Sequence, residues 1–133
     1  MTDSVLRRTR IKFCGFTRAS DIDEAVALGV DAIGLILVPQ SPRAVTLEAA
    51  AELKKAIPPF VSSVVLLRNP DAERVREVLK TIRPTLLQFH GEGSADFCLS
   101  FGHPYLKAIA MQHQTRALAE IAAEYASAEA LLL

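Results

Sequence analysis

The chain has 133 residues, half of them hydrophobic, and its 15 basic side chains are balanced by 15 acidic ones. That length suits one domain, residues 1–133, with a real core, and the neutral charge without a basic stripe argues against nucleic acid as main partner. No apolar run approaches the ~18 residues of a membrane helix, so no membrane association is expected.

The N-terminal "MTDSVLRRTR" carries charge with no apolar segment behind it, unlike a secretory signal. Two cysteines without metal-like spacing offer neither a disulfide framework nor a zinc site. A cytoplasmic setting is expected.

Residues Arg10 to Cys14 read as a first strand. "RASDIDEAVALG" follows, with Ile22, Ala25, Val26 and Gly29 at helical spacing, Ser20 as expected N-cap and Gly29 as expected C-cap. "DAIGLILV" is a continuous apolar strand and "QSPRAV" a loop. Thr46 opens a second helix that runs through Ile57 and closes at Pro58-Pro59. "FVSSVVLL" is a third strand, and Val75, Val78, Leu79 and Ile82 mark the helix after it. "TLLQF" is a fourth strand, "HGEGS" a loop, and Phe97, Cys98 and Phe101 mark the next helix. "YLKAIA" is a fifth strand, Leu118, Ile121, Ala122 and Tyr125 mark a fifth helix, and "ALLL" begins a sixth strand.

Strict alternation of strand and helix, with near-continuous apolar strands, predicts a parallel sheet covered by helices. Two architectures fit. A doubly wound sheet of five βα units is complete at this length, and a (β/α)8 barrel needs roughly 200 residues or more. Length favours the first. The strand begun at "ALLL" weighs against it, because it has no helix after it.

In both architectures the chemistry sits at the carboxyl ends of the strands. Cys14 ends strand one, Arg43 follows strand two, and Arg68 and Asn69 follow strand three. Gln88 and His90 close strand four, Lys107 lies in strand five, and Gln112 and His113 come after it. Each has a plainer reading. A strand-end cysteine is often a small buried hydrophobe, a loop arginine is often solvated, His90 can bond a backbone carbonyl, and Lys107 can snorkel from the sheet. Cys98 reads as core, Glu92 as a carboxylate capping the next helix, and His103 as lying on the opposite face.

These segments also carry a resemblance. "IKFCGFTR", "ALGVDAIGLIL", "SPRAV", "IPPFVSSVVLLRNP" and "LLQFHGEGSADFC" resemble successive segments of phosphoribosylanthranilate isomerase, an enzyme family of tryptophan biosynthesis, from about Arg10 to Leu133. The resemblance implies a (β/α)8 TIM barrel, of which this chain supplies about five βα units and part of strand six. It therefore overrides the length argument. It implies an Amadori rearrangement of N-(5'-phosphoribosyl)anthranilate to 1-(2-carboxyphenylamino)-1-deoxyribulose 5-phosphate. A general acid opens the furanose ring, and a general base takes the proton from C2'. No metal and no organic cofactor is implied.

On the matching positions Cys14 is the general base, and a thiol, with an ordinary pKa of about 8.5, is usable near neutral pH. Gly15 beside it is expected to let substrate approach the backbone. Arg43 matches an arginine that positions the anthranilate end, a task suited to a planar guanidinium. His90 and Gln88 match the mouth of the site. The loop departs from the family's Lys-Ser-Pro-Arg-Tyr at Gln40 and Ala44, and Arg68 replaces an apolar residue near the pocket. The family's acid is an aspartate directly after the sixth-strand "LLL". The chain is accordingly expected to continue past Leu133 and to be inactive by itself.

Other readings remain open at this point. A different phosphate-binding barrel of the same pathway would use a lysine acid, for which Lys107 is the strand-five candidate. A receiver-like signalling domain would need acidic residues where Cys14-Gly15 and Arg68-Asn69 stand. A non-catalytic fragment acting as an interaction module is the third. The sequence does not distinguish a monomer from a homodimer.

Overall fold

The computed structural model describes residues 8–133. Strand β1 (Lys12–Cys14) leads to α1 (Ala19–Ala27), β2 (Ala32–Ile36) and α2 (Leu47–Lys54). Then come β3 (Ser62–Arg68), α3 (Ala72–Thr81), β4 (Leu86–His90) and α4 (Ala95–Leu99). The described chain closes with β5 (Tyr105–Ala108), α5 (Leu118–Glu124) and β6 (Ala130–Leu132). None of these helices is long and apolar enough to cross a membrane.

The strands form one sheet in the order β1-β2-β3-β4-β5-β6, and every neighbouring pair is parallel. That order separates the two architectures. A doubly wound sheet reverses direction at a switch point, where its ligand site lies. Here each strand is laid beside the last without reversal, as in the wall of a (β/α)8 barrel. The helices lie on one face, so the sheet has two different cores. Ile33, Leu35, Val65, Leu67, Leu87, Phe89 and Tyr105 pack against helix residues such as Ile22, Ala50, Val75 and Cys98. The opposite, concave face gathers Ile36, Val64, Leu66 and Leu106, with Cys14 and Leu132 beside them. Cys98 is fully buried, as core.

Helix ends differ from expectation in ways the side chains explain. Helix α1 begins one residue before Ser20, with Arg18 at the N-cap and no side-chain cap. Arg18 instead pairs with Asp21 in the first turn, at 2.9 Å, where a carboxylate complements the positive end of the helix. Gly29 lies just past the C-cap Leu28, at φ +90°, where glycine avoids the Cβ penalty. Helix α2 is capped by Thr46, whose hydroxyl accepts from Ala49 N at 3.1 Å. It ends at Lys54, and residues up to Ile57 form tighter i→i−3 bonds. Pro58 disfavours helical geometry in the residue before it.

At the foot of the sheet Asp31 ties the start of β1 to β2. It accepts from Ile11 N at 2.8 Å and from the Arg8 guanidinium. These two bonds, Arg8 first, hold its carboxyl down at about 2.

The tightest part of the helix-facing core is aromatic. Phe89 is 1 % exposed, with ring centroids of Phe97, Phe101 and Tyr105 at 6.2, 6.3 and 5.8 Å. Truncating such a residue removes its transfer energy and leaves a cavity. Phe89→Ala is expected to cost ~3–5 kcal/mol in equilibrium urea unfolding of the complete protein, with little change in slope. A cost below ~1 kcal/mol would mean that the cluster collapses around the gap.

Candidate active site

Alternation along each strand decides which side chains reach the concave face. On β1 these are Lys12 and Cys14, on β3 Leu66 and Arg68, and on β4 Leu86, Gln88 and His90. The register sets Cys14 beside Gly34, Leu66 beside Gln88, and Arg68 beside His90.

Cys14 is half-buried at the carboxyl end of β1. Its neighbour Gly34 creates the space for it. A Cβ on Gly34 would stand 2.6 Å from Cys14 Sγ and 3.1 Å from Cys14 Cα. Gly34 was not among the residues singled out from the sequence. The signal was present, since an isolated glycine inside an apolar strand marks a close approach.

The loop after β2 folds back over this point. Ala44 bridges to Ile36, Val45 N donates to Ile36 O at 2.9 Å, and Arg43 N donates to Ser41 Oγ at 3.2 Å. Arg43 Nη1 then donates to the carbonyl of Cys14 at 2.8 Å. Gly15 permits this contact. It sits at φ +92°, and a Cβ there would lie 2.5 Å from Arg43 Nη1 and 2.7 Å from its Cζ. In this structure the space beside Gly15, expected from the sequence to serve substrate, is filled by the Arg43 guanidinium. Cys14, Gly15 and Arg43 therefore form one unit.

The second cluster centres on β4. Lys12 Nζ donates to Gln88 Oε1 at 2.7 Å, across the concave face. Gln88 Nε2 lies 2.6 Å from His90 Nε2. Gln88 is 1 % exposed, and each end of its amide has one of these partners. His90 is half-buried, and burial pushes its pKa below the ordinary value, with the charges of Lys12, Lys107 and Arg68 adding to the effect. Arg68 and His90 both border two cavities at the mouth. One, of about 180 Å³, is also lined by Ile36, Val38, Ser41 and Leu66. The other, of about 320 Å³, reaches Ala108 and Leu132. Among the described residues no acidic side chain lines either of these two, while a third cavity, of about 370 Å³, is bordered by both His90 and Glu92.

Lys107 corrects the sequence reading. It shares the helix-facing side of β5 with Tyr105, and it is 2 % exposed. Its Nζ donates to Gly91 O at 2.6 Å and lies 5.3 Å from the centre of the Tyr125 ring. Tyr125 OH in turn donates to Gly93 O at 2.7 Å. Both side chains pin the loop after β4 from behind. Lys107 neither snorkels to solvent nor faces the concave side, so it is not placed as a lysine acid for this mouth.

Glu92 is a second correction. Helix α4 is capped by Ser94, whose hydroxyl accepts from Phe97 N at 3.1 Å, and Glu92 does not cap it. Glu92 N donates to Asn69 Oδ1 at 2.8 Å, so the residue links the loops after β3 and β4 through its backbone. Gln112 and His113 are exposed in the turn after β5 and line neither mouth cavity. His103 lies at the far end of the sheet, with Nε2 2.9 Å from Pro84 O. Among the described residues no three His, Cys, Asp or Glu side chains gather to hold a metal ion.

Comparison with known proteins gives this geometry a context. The family model described as N-(5'phosphoribosyl)anthranilate (PRA) isomerase matches residues 11–133. A curated N-(5'-phosphoribosyl)anthranilate isomerase of Stenotrophomonas maltophilia (strain K279a) is 59 % identical over 104 residues, which are 78 % of this chain and 48 % of the relative. The crystal structure of phosphoribosyl anthranilate isomerase from Thermus thermophilus superposes with a TM-score of 0.81 at 34 % identity, over 92 % of this chain and 60 % of that one. A phosphoribosyl anthranilate isomerase solved with reduced 1-(o-carboxyphenylamino)-1-deoxyribulose 5-phosphate gives a TM-score of 0.81 at 28 % identity, over 94 % and 64 % of the two chains. The chain spans about half the length of the curated relatives it matches. By the extent of the family match and by the identity to these relatives, the chain belongs to the N-(5'-phosphoribosyl)anthranilate isomerase family.

Proposed function

We propose that the chain carries the base side of an isomerase active site. Its substrate is N-(5'-phosphoribosyl)anthranilate and its product 1-(2-carboxyphenylamino)-1-deoxyribulose 5-phosphate, a step of tryptophan biosynthesis in the cytoplasm. The observation that carries this reading is Cys14. A thiol is held on the concave face over a glycine, at the carboxyl end of β1, with a guanidinium fixed to its own carbonyl.

The reaction needs two proton transfers. An acid protonates the furanose oxygen, and the C1'–O bond breaks to give an iminium. A base then removes the proton from C2', and the electron pair of that C–H bond moves to form the enol amine. Tautomerisation gives the ketone. Cys14 is suited to the second step, because its thiolate accepts one proton and returns it without binding a metal. Among the described residues, neither cavity bordered by Arg68 and His90 together has an acidic side chain in its lining. The family resemblance puts the acid directly after β6.

Arg43 suits recognition of the anthranilate end. One amino group of its guanidinium is anchored on Cys14 O, and the fork that remains can meet a carboxylate or stack on a ring. Because the same guanidinium is bonded to the backbone carbonyl of Cys14, substrate held by Arg43 is held near the residue that carries the thiol. The partner implied is thus a small phosphosugar-anthranilate molecule.

Cys14→Ala in the complete protein is expected to lower kcat by at least ~10²-fold in a steady-state isomerase assay, the usual scale for a general base. Cys14→Ser is expected to be nearly as poor, since a hydroxyl is far less acidic. Gly34→Ala crowds the thiol without removing it and is expected to reduce kcat while the protein stays folded. Wild-type turnover in Cys14→Ala would remove the base from this residue.

Arg43→Ala is expected to raise KM and lower kcat together, because substrate loses orientation as well as contact. Arg43→Lys restores little, since a point charge lacks the fork. Unchanged kcat/KM in both variants would reduce Arg43 to a structural clamp on Gly15.

A further inference from the structure

The Lys12–Gln88–His90 chain has a direction that its donors and acceptors impose. A lysine ammonium can only donate. Gln88 must therefore turn its carbonyl oxygen toward Lys12, and the 2.7 Å contact is to that oxygen. Its amide nitrogen, which can only donate, is then left facing His90 Nε2 at 2.6 Å. An imidazole nitrogen that accepts carries no proton. The single proton of neutral His90 is then on Nδ1.

We propose that Lys12 and Gln88 act as positioning residues that hold His90 as a neutral imidazole protonated on Nδ1, a hydrogen-bond donor to substrate. This rests on the isomerase reading for the identity of the substrate, but the state of the ring does not. Protonating His90 would set an N–H against the Gln88 amide and would add a positive charge among others. Lys12 on β1 and Arg68 on β3 share the concave face with the ring, Lys107 adds its charge from the helix-facing side of β5, and all three are cations. Glu92, in the loop after β4, is an acidic residue that borders a cavity with His90, and the charges that move the ring are those of the three cations. Burial works in the same sense, so the ordinary value of 6.5 is lowered. A neutral donor suits a site whose ligand carries a carboxylate and a phosphate, since its strength does not change as pH moves through neutrality.

The test uses the complete protein, with the side-chain nitrogens of His90 followed by ¹H–¹⁵N NMR across pH, and isomerase kinetics in parallel. In wild-type protein Nδ1 is expected to carry the proton, and the ring to stay neutral as pH falls through about 6.5. Gln88→Glu keeps the shape and reverses the logic, because a carboxylate accepts from Lys12 and from the ring alike. It is expected to move the proton to Nε2, raise the His90 pKa, and raise KM by ~10-fold with a smaller change in kcat, the scale of one lost hydrogen bond. Lys12→Met frees Gln88 to rotate and is expected to give a mixture of the two tautomers. A wild-type ring protonated on Nε2 would overturn the proposal. So would a ring that titrates at its ordinary value, or a proton that stays on Nδ1 in Gln88→Glu. A shifted proton with unchanged KM would overturn the role toward substrate. Lack of isomerase turnover in wild-type protein would instead remove the proposed function, and the NMR spectra alone would then decide the state of the ring.

Discussion

A residue in a strand shares its face with its neighbours two positions away and with the paired residues of adjacent strands. In a parallel sheet wound in one direction that constraint propagates from strand to strand. Once Cys14 is on the concave face, Lys12 must be there too, and Gly34 must lie beside the thiol. Through β3 the same parity brings Gln88 and His90 inward and sends Phe89 outward into the aromatic cluster. The base, the relay and the core are therefore not separately adjustable. A one-residue slip in β1 would exchange Cys14 for Phe13 and dismantle all three.

Much of this was legible before the structure. The strands and helices follow from runs of apolar residues broken by Gly, Pro and polar loops, and Thr46 caps α2 as its position suggests, while the caps at Asp71 and Ser94 appear only in the structure. What local pattern could not decide was the order of strands, because a βα unit looks the same in a doubly wound sheet and in a barrel. That choice depends on long-range pairing, and only the motif resemblance anticipated it. The misreadings at single residues have specific causes. Lys107 was assigned by type and position in the chain, although its parity with Tyr105 places it among the helices. Glu92 was favoured for its charge, yet Ser94 stands at the position from which a side chain reaches the third amide of the helix. Gly34 was hidden in an apolar run, where its reason is the sulfur of another strand.

Charge is segregated by the same parity. The chain is neutral overall, but the groups that meet at the concave mouth are Lys12, Arg43 and Arg68, with a histidine kept uncharged. Apart from Glu92, which borders a cavity with His90, acidic side chains are found in places such as the Asp31 anchor at the foot of the sheet and the helix-surface pairs Glu52–Lys55 and Glu77–Arg74. Surface pairs of that kind add little to stability. A concave, partly desolvated mouth of one sign does more, because it concentrates an oppositely charged ligand before any contact forms. The proposed substrate is an anion at both ends, so the field and the ligand agree.

On the proposed assignment of Cys14 as base, its pairing with Arg43 also explains why a carboxylate does not stand at this position. A carboxylate placed where Arg43 is anchored would be drawn into a bidentate ion pair, held ionised and made a weaker base. A thiol offers no pair of oxygens for such a bidentate contact. The guanidinium can then stay beside the base without disabling it. Its anchor is the carbonyl of Cys14, a group that does not titrate, so the position of Arg43 is independent of whether the thiol holds its proton. Gly15 is what allows that arrangement, since any side chain there would push the guanidinium off the carbonyl. The Cys-Gly pair that ends β1 is thus a single device. In the proposed reaction the cysteine moves the proton, and the glycine admits the cation that orients what the proton is taken from.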